Sequence, residues 1–193
     1  MRKGVFYLQY PIYYQGAEVG RLDLAEDGLY YRLSARCAEP NRGIWRLWGC
    51  LGRESRCLGV CVPAEDGLGL EKRVSRRSWP ELPQAFILGR ESEGFRPWRG
   101  VVEEQELPDA MLRANADGTH TLAIFAPPEG PVPLAERVSE MQEGELDGRK
   151  CLILNWPPEE TVGGGALDAP RRRYETQKAK RKTNNCGIPQ IAI

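Results

Sequence analysis

Four Asp-Gly pairs punctuate this chain, at Asp27-Gly28, Asp66-Gly67, Asp117-Gly118 and Asp147-Gly148, each beside a short run of strand-forming residues. Asp-Gly readily supplies the left-handed backbone of a tight turn, so such a pair between two β-type runs marks a hairpin. Turns at this spacing favour antiparallel pairing over β-α-β alternation. The expected fold is all-β or a β-dominated α+β, an antiparallel sandwich or barrel-like domain with one or two short helices. The weak echo of Asp27-Gly28-Leu29 in Asp66-Gly67-Leu68 reflects shared turn chemistry, since true repeats keep a fixed period.

The runs between the turns read as follows. Val5–Tyr10 is an aromatic strand ended by Pro11. Residues 17–24 alternate apolar and polar, and 29–37 resume strand character. Residues 44–50 and 56–62 form a second hairpin. Strands follow at 68–74, 85–89, 119–126 and 149–156, while 95–102 is irregular around Pro97 and then extended. Leu107-Pro108-Asp109 opens a predicted helix to about Asn115, because proline suits a first helical turn. Glu103-Glu104-Gln105-Glu106 then reads as a solvated, dipole-favoured approach to it. Leu134, Val138 and Met141 share one face of a second short helix.

Residues 1–156 are assigned to the β-rich domain, with two sub-halves meeting near 90–105. Length and apolar content suffice for a core without staples. Residues 157–193 read as a flexible linker (Pro157-Pro158, Gly163-Gly164-Gly165) and a disordered basic tail, ending in an apolar run from Ile188 to Ile193. Net charge is zero over the whole chain but near −3 for 1–156 and +3 for the remainder. No run is long and apolar enough to be a signal peptide or a membrane span, which points to a soluble cytoplasmic protein with no membrane partner. Its six cysteines are then expected as thiols.

With a turn centred between Arg53 and Glu54, Cys50 would face Cys57, Trp48 would face Gly59, and Arg46 would face Cys61. Trp45, Leu47, Leu58, Val60 and Val62 would form the core face. Arg46, Trp48 and the cysteines would then share the outer face, with Trp48 the tryptophan most open to a partner. Cys37, Cys50, Cys57 and Cys61 are the zinc candidates. Their spacing lacks paired C-x₂-C knuckles, and Cys57 and Cys61 lie about 13 Å apart along a strand. Packed thiols are the plainer reading, and no cofactor is assigned.

His120 is the sole histidine, placed at a strand entry where a solvent-facing role is usual. The acids Asp23, Asp27, Glu103 and Glu104 give no acid–base geometry from sequence, and no phosphate loop, nucleophile elbow or metalloprotease motif occurs. The chain therefore leans away from enzymes. The first function reading is a non-enzymatic binding or protein-interaction module, meeting a protein partner at a strand edge or at the Arg46/Trp48 face. The second is a nucleic-acid-associated accessory protein using Arg171, Arg172, Arg173, Tyr174, Lys178, Lys180, Arg181 and Lys182 as a counterion-releasing tail. The third is a structural zinc-stabilised module.

Overall fold

The structure is a computed structural model describing residues 7–126 and 130–156. The linker, the basic tail and the apolar run at 188–193 lie outside the described residues. Thirteen strands form two sheets. They are β1 (Tyr7–Tyr14), β2 (Ala17–Asp27), β3 (Tyr30–Cys37), β4 (Arg46–Leu51), β5 (Glu54–Val60), β6 (Val62–Ala64), β7 (Gly67–Ser75), β8 (Ala85–Gly89), β9 (Arg96–Val102), β10 (Gln105–Ala114), β11 (His120–Ile124), β12 (Gln142–Leu146) and β13 (Arg149–Trp156).

The eight-stranded sheet runs β5-β4-β8-β1-β2-β3-β7-β6, antiparallel except for a two-residue parallel pairing of β1 with β8. Inward residues alternate along β3 (Tyr31, Leu33, Ala35, Cys37) and meet Ile12, Leu22, Leu24, Leu47 and Phe86 in one core. The end strands β5 and β6 are separated by Cys61 alone. Across the gap, the Lys72 ammonium donates to the Leu58 carbonyl. A Cβ at Gly59 would lie 3.1 Å from Leu70, so these strands approach closely. The sheet thereby curls into a nearly closed barrel.

The second sheet, β12-β13-β11-β10-β9, packs Trp98, Leu107, Leu112, Leu122, Ile124 and Leu154 against Cys50 and Ile87 of the first. Strand β4 is consequently covered on both sides, with Leu47 in the barrel core and Cys50 against the second sheet. All four Asp-Gly pairs lie in hairpins, joining β2 to β3, β6 to β7, β10 to β11 and β12 to β13. No helix among the described residues is long and apolar enough to cross a membrane.

Several expectations change. The residues expected as a helix over 107–115 are strand through Ala114: Leu107, Ala110 and Leu112 point into the second core from β10. Pro108 sits in a bulge where the β9–β10 register skips from Leu107 to Ala110, a place where the ladder tolerates proline. Glu103-Glu104 is no helix approach. It is the two-residue turn between β9 and β10, with both residues left-handed (φ 50 and 66). Strand β1 runs on through Pro11 to Tyr14, and pairing with β8 starts only at Ile12. The expected helix at 134–141 is a 3-10 helix at Ala135–Glu140, preceded by buried Leu134.

Candidate functional site

The two sheets touch closely where β8 passes β9, since a Cβ at Gly89 would lie 2.4 Å from Pro97. Beside that contact, β1 and β8 share only the pairs Ile12↔Phe86 and Tyr13↔Ile87. A cleft of about 340 Å³ opens there, bounded by Tyr13–Gly16 on one side and Leu88–Arg90 on the other. The start of β10 closes it from the second sheet: a Cβ at Gly16 would lie 3.7 Å from Pro108 and 3.8 Å from Asp109.

Stacked arginines line this cleft. The Arg90 guanidinium lies 4.2 Å from the centre of the Trp45 ring. Its Nη2 donates to Asn41 Oδ1 (3.1 Å) and to the Arg42 carbonyl (3.3 Å). Trp45 is fixed in turn by Nε1 donating to the Asn41 carbonyl (2.8 Å) and by the edge of Tyr14 at 5.1 Å. Arg149 covers Phe125 at 3.8 Å and forms an ion pair with Asp109. On the far side of Tyr13, in a neighbouring cleft, Arg99 covers the Tyr13 ring at 3.8 Å and bonds Glu106 at 2.6 Å. Such stacking holds a guanidinium in one plane while leaving its edge free to donate.

A second cleft of about 350 Å³ shares Tyr13 and Trp98 with the first. There Arg53 lies 4.0 Å from the Trp156 ring centre, and Trp98 meets Trp156 edge-on at 5.6 Å. His120 approaches the same ring at 6.4 Å and is half-buried rather than solvent-facing. Its Nδ1 is buried without a hydrogen-bond partner.

The outer face expected around Trp48 does not exist. Trp48 is 2% exposed and donates from Nε1 to the Gly89 carbonyl at 3.2 Å. The second sheet covers the side of β4 that an isolated hairpin would leave open. The hairpin turn is Gly52-Arg53, so Cys50 faces Ser55 and Trp48 faces Cys57. A bulge between Leu47 and Trp48 then reverses the alternation beyond it. Arg46 accordingly pairs with Val60 and is half-buried. Val60 and Val62, expected in the core, are 46% and 57% exposed, while Cys61 points inward.

The zinc candidates do not converge. Cys37 and Cys61 are neighbours in the barrel core, Cys50 belongs to the other core, and Cys57 is exposed. Among the described residues no group of three His, Cys, Asp or Glu side chains could hold a metal. Burial pushes the Cys50 thiol up to about 11, opposed by weaker hydrogen bonds from the Arg99 backbone and Ser55. The tail candidates Arg171 to Lys182 lie outside the described residues.

Sequence reasoning missed the cleft because its parts come from seven separated segments. The available signal was the excess of arginines near aromatic residues, which pairs off only once the strands are placed. Comparison with known proteins finds no matching family model, no significantly similar curated protein and no significantly similar solved structure.

Proposed function

We propose that this chain is a non-enzymatic binding module that receives an extended segment of a partner protein in the cleft between β1 and β8. The observation that carries this reading is the early end of the parallel pairing, two residues after it starts. It separates two strand ends and leaves aromatic rings and fixed guanidinium edges between them. An extended polypeptide offers carbonyls for those donors and side chains for the rings. A hydrolytic role has less support, because Asp109, which lines the cleft together with Asp147, is already engaged by Arg149.

The test is selection of peptides from a displayed random library on the full chain, followed by amide chemical-shift mapping. Shifts centred on Tyr13–Gly16, Leu88–Arg90 and Asp109–Met111 are expected, with affinity lost in Arg90→Ala. Shifts confined to the free edges β12 or β6, or no selected binder, would refute the proposal.

A second reading, nucleic-acid association, rests on the seven basic residues between Arg171 and Lys182. Fluorescence anisotropy of a labelled single strand across a salt series tests it. Binding should weaken steeply with salt and fall when Arg171, Arg172 and Arg173 are all replaced by alanine.

A further inference from the structure

The five described cysteines occupy different surroundings, and only two meet. Cys37 closes β3, and Cys61 is the single residue between β5 and β6. Their side chains hydrogen-bond to each other inside the barrel core, where each is 5% exposed. Cys37 Sγ also reaches the Leu68 carbonyl at 3.9 Å. The Cys61 backbone is anchored through its N–H to the Trp45 carbonyl at 2.8 Å.

The topology makes this contact unusual. Cys37 belongs with β3, β7 and β6 at one end of the eight-stranded sheet. Cys61 is tied through Trp45 and β5 to the other end. Because Cys61 itself links β5 at one end of the sheet to β6 at the other, the two thiols lie at the seam where the barrel closes.

We propose that Cys37 and Cys61 form a reversible disulfide that fastens the barrel seam in the presence of a hydroperoxide. The Cys37 thiolate attacks one oxygen of hydrogen peroxide, forming an S–O bond and breaking O–O. The hydroxide released takes up the Cys37 proton as water. The Cys61 sulfur then attacks the sulfenic sulfur, forming S–S and breaking S–O, and the second hydroxide leaves as water with the Cys61 proton. Two thiols and one peroxide give one disulfide and two waters, the sulfurs oxidised and the peroxide reduced.

The order of roles follows from the shared hydrogen bond. It holds the Cys37 thiol below its ordinary range and pushes the Cys61 thiol above it, with burial adding to the rise. Cys37 is thus the first to carry thiolate character, and Cys61 is the resolving partner. Access for so small an oxidant needs only local opening at β6, a three-residue strand with every side chain exposed.

The test treats the full chain with hydrogen peroxide, alkylates the remaining thiols and maps peptides without reduction. The expected product is a Cys37–Cys61 cross-link, reversed by dithiothreitol. Closing this loop should shift the unfolding equilibrium toward the folded state by roughly two orders of magnitude. The double variant Cys57→Ser/Cys186→Ser, which keeps both core thiols, should give the same cross-link. Oxidation confined to Cys57 or Cys186, with Cys37 and Cys61 still alkylatable after unfolding, would overturn the proposal. So would loss of the cross-link in the double variant.

Discussion

Gly20→Ala should be among the most damaging small substitutions in the barrel. Gly20 sits opposite Cys37 on the β2–β3 ladder. An added Cβ would stand 2.2 Å from the Arg36 carbonyl oxygen and 2.5 Å from the Cys37 Cα. Those are backbone atoms, so relief requires the strands to part by about 1 Å, given that carbon contacts settle near 3.5–4 Å. Parting them strains the neighbouring bond from the Ala38 N–H to the Val19 carbonyl (2.9 Å). Overpacking of this kind costs about 1–3 kcal/mol and a weakened hydrogen bond about 1 kcal/mol. Reduced unfolded-chain entropy returns about 0.5–1 kcal/mol. The net expectation is a loss of about 2–3 kcal/mol, a fall of about 5–10 °C in Tm for a unit this size. Urea unfolding followed by tryptophan fluorescence reads it as a lower midpoint at unchanged slope. A control at Gly52 meets no atom within 4 Å and is left-handed (φ +50), so Gly52→Ala should cost about 1 kcal/mol through the backbone alone. A Gly20→Ala protein within 0.5 kcal/mol of the parent would show that the ladder is not as tight as this reasoning requires.

Other outcomes follow from the two sheets and their junction. Ser55 Oγ donates to the Pro97 carbonyl at 2.5 Å, a buried link between β5 and β9. Ser55→Ala should cost about 1–2 kcal/mol in denaturant unfolding, toward the lower figure because the Cys50 thiol also reaches that carbonyl at 3.8 Å. The Cys50 thiol is neutral when protonated, and folding raises it from 9.0 to about 11. Its contribution is therefore complete below pH 9 and is lost as pH climbs through 11, about 3 kcal/mol in all. The difference between parent and Cys50→Ala stabilities across that window checks it, and a flat difference would refute it. Replacing Glu103-Glu104 by Asn-Gly should stabilise the chain by about 1–2 kcal/mol in the same unfolding assay, because both positions are left-handed. Arg90→Ala should abolish binding of a cleft-selected peptide in calorimetry and also lower the unfolding midpoint, since its guanidinium covers the buried Trp45 ring, whereas Arg90→Lys should weaken binding with a smaller loss of stability.

What could be read from sequence was whatever depended on neighbours along the chain. The Asp-Gly turns and the alternation around Leu33 are local properties; they placed the hairpin at Asp27 and the turn at Asp66 correctly, whereas β10 stands where a helix was expected before Asp117 and β12 was not expected before Asp147. Pro108 misled because its suitability for a first helical turn is also local, whereas the bulge that accommodates it needs β9 alongside. Trp48 and Cys50 misled for a related reason. A strand with one solvated face and a strand covered on both faces carry the same pattern over six residues, and only the second sheet decides between them. The Cys37–Cys61 contact was hidden further still. The bulge at Leu47/Trp48 reverses which residues of β5 point inward, and no spacing rule anticipates a bulge.

The parallel pair that opens the cleft also sets an order of events. Ile12 finds Phe86 only after more than seventy intervening residues exist, whereas the second sheet assembles mainly from neighbouring hairpins. During synthesis β1 and β2 can pair early, but the tyrosine-rich outer margin of β1 then waits, unpaired, for β8. Distant pairing of this sort slows folding and leaves a sticky strand margin on display meanwhile. Productive folding of this chain should therefore depend on how fast the ribosome delivers residues 85–89, and slowing translation before that point should raise the fraction that aggregates.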